Sequence, residues 1–311
     1  MKQSKFTWAD TLTIIAGMIY GVITYLGARY LHFEEETVLG FSNNMGCIII
    51  SILFTLALIL PAMGAKVFKR ADKNFKTAIK IELTIFLVFI CSCLYLMVHS
   101  PFTHYFTVYD QSKEILKDVN QSIKSTQKMF TVYEEQMNTR IQHYEHDLKL
   151  KKIANPNQFT DEIIDREVFT INAHLFPSNF SDTVNLNGIK QVAFSTLNNY
   201  RNNCLKWPAF GILEIVSKIK TDSEIWLQDM ISNSDRIEKY ENPNTPPFAY
   251  NNNITNVSNL IKTEKNPAIL TIIYSLLVAL VAIFSYLISN RSTKWPGWNK
   301  IFSNTKSANT L

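Results

Sequence analysis

The chain has 311 residues, 47% of them apolar, and a formal net charge of +5. Only nine glycines are present, so a phosphate-cradling loop has little material, and no P-loop, dinucleotide glycine pattern, GxSxG elbow or HExxH occurs. The positive charge is gathered in short segments beside apolar runs, which makes it a topology signal and sets nucleic-acid binding aside.

Four uncharged apolar runs dominate the pattern, and a helix crossing a hydrocarbon core of about 30 Å needs about 20 such residues. The first span is expected over about 10–30, with no charge between Asp10 and Arg29. A cleaved leader is set aside because Arg29, Glu34, Glu35 and Glu36 follow the run in place of a small-residue cleavage site. The second span is expected over about 45–65, stopping before Lys66, and the third over about 78–99. The third is uncharged only from Leu83 to Val98, so Lys80 and Glu82 are expected to reach toward headgroups, with Asp10 at the same edge of the first span.

Residues 101–266 are polar and read as a helical-bundle domain. From 107 to 152 there is no proline or glycine, which predicts one long helix. Leu116, Val119, Ile123, Phe130, Tyr133 and Met137 recur along it at spacings that give one apolar face, an expected interaction helix. The stripe departs from a strict heptad between Met137, Ile141 and Tyr144, so helix-on-helix packing fits better than a long regular coiled coil. Asn155-Pro156 ends the helix, and Thr160-Asp161 caps a short one running to about Ala173. A further helix is expected from Leu186 to Leu205, a restart at Pro208, and a new start at the capping-box sequence Thr221-Asp222-Ser223-Glu224. The segment 240–258, with Pro243, Pro246 and Pro247, is expected to be a stiffened loop.

The fourth span, 267–289, reads PAILTIIYSLLVALVAIFSYLIS, and a basic tail 290–311 follows. Trp295 and Trp298, beside Lys294 and Lys300, have the composition of an interfacial anchor. The N-terminus with Lys2 and Lys5, the link between spans two and three, and the tail ending beyond Lys306 together hold 12 Lys and Arg against three acids. Short basic segments stay cytoplasmic, so both termini are expected inside and 101–266 outside. Cys47, Cys91 and Cys93 fall in spans and only Cys204 in the external segment, which therefore has no internal disulfide. A bacterial inner membrane with a periplasmic domain is the expected setting.

The expected fold class is thus an all-α polytopic membrane protein: four transmembrane helices, with a helical-bundle extracytoplasmic domain between spans three and four. The layout resembles that of tetraspanins in topology, but the external segment lacks their Cys-Cys-Gly motif, and no family is assigned.

Small residues segregate to one face of two spans, an arrangement that lets helices approach closely. These are Gly17 and Gly21 with Thr13, Thr24 and Ala28 in span one, and Ser275, Ala279 and Ala282 with Thr271, Ser285 and Ser289 in span four. Cys47, Ser51 and Thr55 repeat the pattern more weakly in span two. His143, His146 and Asp147 could share a helical face as metal ligands, but a zinc site needs a fourth position and a supporting shell, so no metal or cofactor is expected. No catalytic residue stands out, and the chain is not expected to be an enzyme. The expected role is a membrane assembly or interaction subunit, embedded in the lipid bilayer and binding a protein partner or forming a homo-oligomer. The alternatives are a channel or transporter gated by the external domain, and a ligand sensor working with a separate output partner.

Overall fold

The structure, a computed structural model, describes residues 6–98, 100–177, 180, 188–235, 245–252, 255–263 and 269–297. Lys2, Lys5, residues 186 and 187, Pro243, residues 267 and 268, Trp298, Lys300 and Lys306 lie outside the described residues. The order of elements is α1 (Trp8–Leu31), β1 (Thr37–Val38), β2 (Phe41–Ser42), α2 (Asn43–Lys69), α3 (Phe75–Val98), α4 (Pro101–Asp110) and α5 (Ser112–Ala154). Then come α6 (Asp161–Leu175), α7 (Ile189–Cys204), α8 (Ile212–Asn233), α9 (Thr255–Lys262) and α10 (Ile269–Ile288). The structure is therefore mostly helical, and among the described residues four helical stretches are long and apolar enough to cross a membrane: α1, α2, the run Phe75–Asp110, and Thr271–Ile288 of α10. They fit a multi-pass membrane protein.

Two compact units divide the chain, the first formed by 1–111 with 261–311 and the second by 112–260. In unit 1, α1 packs on α2, α4 and α10, and α2 packs on α3. Tyr20, Leu58, Phe89, Leu96, Phe102 and Ile283 form its core, while Leu53, Leu60, Leu87, Leu277 and Leu280 face outward. Apolar side chains on the outer surface as well as in the core is the arrangement that lipid permits.

From the sequence, 101–110 is expected to belong with the external domain and the long helix to begin at 107. The structure instead assigns α4 to unit 1 and starts α5 at Ser112. The reason is aromatic: Phe102 stacks on Tyr20 at 4.9 Å, and Phe106 stacks on Tyr274 at 5.0 Å. Closeness also requires Gly27, where an added Cβ would stand 1.7 Å from the Pro101 carbonyl oxygen. The mixed stretch PFTHYFTVYD has no long apolar run, so hydropathy alone does not reveal this packing.

Unit 2 is built around α5, which packs against α6, α7 and α8. Thr160 caps α6 as expected, its Oγ1 accepting from the Ile163 amide at 3.4 Å. The capping-box sequence at 221–224, by contrast, does not start a helix, because α8 runs unbroken from Ile212 to Asn233. Buried Val216 and Ile219 before the box and buried Met230 after it share the core side of one continuous helix. Ser223 accordingly donates back to the Lys220 carbonyl at 2.8 Å, the local bond a hydroxyl makes inside a helix. Residues 245–252 have no regular secondary structure, in keeping with the loop expectation. They are nevertheless tied to α5: Tyr250 Oη donates to the Ser125 carbonyl at 2.9 Å, Asn252 Nδ2 donates to Thr126 Oγ1 at 2.9 Å, and Phe248 is buried.

Candidate functional site

The strongest concentration of polar chemistry lies at the end of the unit 1 bundle where α1 begins and α10 ends. Asp10, in the first turn of α1, is only 3% exposed, as is Lys66 near the end of α2. Lys66 Nζ reaches both carboxylate oxygens of Asp10, at 2.5 and 2.6 Å. Asp10 also accepts from Thr7 N at 2.7 Å, from Thr7 Oγ1 at 2.8 Å and from Ser285 Oγ of α10 at 2.5 Å. One carboxylate thus ties three helices together. Its acceptor capacity is occupied, which is the condition under which a buried ion pair can be held without loss.

Glu82, at 1% exposure, repeats the device for α3. Arg291 grips it with two parallel bonds, Nη1 to Oε2 at 2.8 Å and Nη2 to Oε1 at 2.9 Å, and Tyr286 Oη donates to Oε1 at 2.8 Å. Planar guanidinium against planar carboxylate is the strongest ion-pair geometry a side chain can make. Lys69 donates to the Tyr286 carbonyl at 2.8 Å and lies over the Tyr286 ring, and Ser292 Oγ donates to Asp72. Trp295, half of the expected anchor, packs edge-on to Phe75 and accepts Arg291 over its ring at 4.6 Å. These carboxylates are all partnered, so the cluster holds helices in register and offers no free base.

Asp10 and Glu82 were expected to snorkel at the membrane edge. Both instead turn inward and are paired, whereas Lys80 is exposed. Snorkelling fails for them because a short carboxylate side chain cannot reach past its own helix, while Lys66 and Arg291 can reach in. In the sequence, those two cations stand out only as charges that set orientation. One local signal was present: Thr7 and Asp10 have the three-residue spacing of a capping box, which places the carboxylate on the first turn.

The small-residue faces meet different neighbours. Gly17 and Gly21 face α2, where an added Cβ would stand 2.0 Å from Ile59 Cδ1 and 2.7 Å from Thr55 Oγ1 respectively. Ser51 Oγ donates to the Gly21 carbonyl at 2.7 Å, a bond that close approach makes available. The α1 and α10 faces meet through Thr13, whose Oγ1 donates to the Ala282 carbonyl at 3.0 Å. Ala282 and Ser275 are buried, and Ala279 is half-buried.

In unit 2, Val119, Ile123, Phe130, Tyr133 and Met137 are buried, and Leu116 is half-buried. Phe130, Tyr133 and Met137 belong to the internal core with Ile171, Leu175, Phe180, Ala193 and Phe248. That face of α5 is therefore taken up by α6, α7, α8 and 245–252, and is not open to a partner. Tyr133 Oη donates to the Leu175 carbonyl at 2.6 Å, and burial pushes its phenol up to about 12. Burial likewise pushes the free thiol of Cys204 up to about 11. His143, His146 and Asp147 are all exposed, and no group of three or more His, Cys, Asp or Glu that could hold a metal is found among the described residues.

An open groove of ≈ 510 Å³ lies in unit 2 between Glu135, Gln136 and Arg140 of α5 and Thr245, Pro246 and Pro247. Arg140 is fixed at its edge, Nη1 donating to the Ser234 carbonyl at 2.8 Å. No protein-family model, no curated protein and no solved structure matches this chain.

Proposed function

We propose that this protein is an integral-membrane interaction subunit, in which the spans anchor unit 2 and unit 2 binds a protein partner or another copy. In this reading both termini and the Asp10–Lys66 end lie in the cytoplasm of a bacterial cell, following the basic segments, and unit 2 is periplasmic. One observation carries the role. Leu205 and Phe210, on the connection between α7 and α8, are 69% and 75% exposed, as is Phe169 of α6 at 72%, whereas Phe130, Tyr133, Phe180 and Phe248 fill the core of unit 2. Neighbouring exposed apolar groups on an otherwise filled unit mark an interaction surface.

The test is site-specific photo-crosslinking in cells from position 210, with position 149 on exposed α5 as control. A discrete adduct from 210, absent from 149 and lost in Leu205→Glu, supports the reading. A lone monomer by light scattering together with no adduct at 210 overturns it.

A channel has less support, since Thr13, Thr24, Thr271 and Ser275 are buried and the cavity beside Ser275 is only ≈ 10 Å³. A sensor has one specific support, the Arg140 groove, whose volume falls within the range that small ligands occupy.

A further inference from the structure

Between α1 and α2 the chain turns through a tight β-hairpin, in which Val38 pairs with Phe41 and Leu39-Gly40 makes the bend. Both bend residues have positive φ, 54° at Leu39 and 78° at Gly40, the pattern of a type I′ turn. Asparagine or aspartate usually precedes glycine in such a turn, since a short polar side chain tolerates the left-handed region. A leucine held there is strained. Leu39 is also 61% exposed, so packing within unit 1 does little to offset the strain.

The height of the hairpin is fixed by its packing. Val38 is buried with Ala28 and Cys47, and an added Cβ at Gly46 would stand 2.4 Å from the Val38 carbonyl oxygen. Gly46 thus lets the hairpin backbone lie directly on α2. A hydrocarbon core is crossed by about 20 helical residues, and α2 has no charged side chain from Asn43 to Ala65. Followed back from Lys66, about 20 residues end at Gly46, so the hairpin lies at the edge of the hydrocarbon layer. Val38 and Phe41 are opposite one another and share a face of the hairpin. The bundle covers Val38, whereas Phe41 remains 52% exposed and overhangs it. From Phe41, exposed apolar side chains recur every three or four residues through Met45, Ile48, Ile52 and Leu56 of α2. The acids Glu34, Glu35 and Glu36 all precede the hairpin.

We propose that the tip of this hairpin, Leu39 with Phe41, is a lipid-binding surface that inserts at the boundary between headgroups and acyl chains beside α2. The proposal rests on the reading of α2 as a membrane span. Lipid is the occupant because the exposed stripe continues from Phe41 onto the outward face of that span, which acyl chains cover. Leucine and phenylalanine are the side chains that bury at this depth, which accounts for a leucine where asparagine would be relaxed. The inserted tip sets the depth of α1 and α2 at one end, as the Asp10–Lys66 pair ties them at the other.

The test is nitroxide labelling of the full chain in liposomes, in a Cys91→Ala background because Cys91 is an exposed thiol. Labels are placed singly through Phe41→Cys at the tip, Leu56→Cys within the span and Glu36→Cys ahead of the hairpin. Relaxation by oxygen, which concentrates in lipid, is compared with relaxation by a water-soluble nickel chelate. The oxygen-to-nickel ratio at 41 is expected to be several-fold above that at 36 and to approach that at 56. A ratio at 41 equal to that at 36 overturns the proposal. A label at 41 shielded from both agents overturns it too, since it marks a protein occupant. Free access of nickel to 56 would overturn the span itself and the proposal with it, whereas a protected 56 beside a water-exposed 41 overturns the hairpin proposal alone. Leu39→Asn is the second variant, chosen because asparagine is at ease at this φ and the turn should still form. It is expected to bring the ratio at 41 down toward that at 36, and an unchanged ratio overturns the insertion of Leu39.

Discussion

In unit 1 many leucines point outward, with Leu53, Leu60, Leu87 and Leu280 exposed, and the interior holds Gly17, Gly21, Ala282, Asp10 and Lys66 beside Tyr20, Leu58 and Phe102. In unit 2 the outer surface differs: Phe130, Tyr133, Phe180 and Phe248 are inside, and charged side chains such as Lys149 and Glu145 reach the surface. Removal of apolar surface from water can hold unit 2 together. It cannot hold helices to one another in lipid, whose tails are as apolar as leucine, so unit 1 depends on close backbone approach and on polar bonds between helices. The charged cluster and the glycine contacts are what that dependence looks like in this chain.

The largest effect expected is at the ion pair. Asp10→Asn leaves the Lys66 ammonium buried without its counter-charge, and breaking a buried pair from one side costs about 3–5 kcal/mol. Thermal unfolding in detergent should show a marked drop in midpoint, most of it recovered in the double variant Asp10→Asn, Lys66→Met. A single variant as stable as wild type would mean that the pair does not lock the helices.

Phe130→Ala tests the other half of the contrast. Phe130 is fully buried and meets Phe180, Phe194 and Trp226, and emptying such a site costs about 3–5 kcal/mol. The loss should appear as protease sensitivity within 112–260 while the spans stay protected. Equal loss in both regions would erase the distinction between the two units.

The smallest effect is a pH dependence of unit 2. Burial raises the Tyr133 phenol from 10.0 to about 12, so the folded state holds that proton more tightly than the unfolded chain does. Its contribution is complete below the unfolded value of 10.0 and disappears as pH rises toward about 12. Near-ultraviolet circular dichroism over that window should show tertiary signal lost as the phenol ionises, with a shallower pH dependence in Tyr133→Phe. An identical alkaline profile in that variant would assign the loss to other groups.

Much of this architecture was legible in the residues. Uncharged runs gave the four apolar helices, because a hydrocarbon core accepts little else, and helical spacing gave the apolar face of α5. Other features were not legible, since they depend on neighbours distant in the chain. The capping-box sequence at 221–224 was overridden by the continuous buried face of α8. The aromatic stretch 101–110 joined unit 1 because Tyr20, Gly27 and Tyr274 present a fitting surface. The pairing of Asp10 with Lys66 and of Glu82 with Arg291 spans 56 and 209 residues, and no local pattern announces such partners.

By itself the sequence determined which segments are apolar helices and which side of each is small or sticky, because those follow from side-chain chemistry at a fixed period. Only the tertiary structure decided what each face meets. Gly17 and Gly21 meet α2 while Thr13 meets α10, the α5 stripe meets its own unit, and Tyr20 and Ser275 share one small cavity. The physical reason is that composition sets how strongly a face must be covered, whereas shape and hydrogen-bond geometry select what covers it.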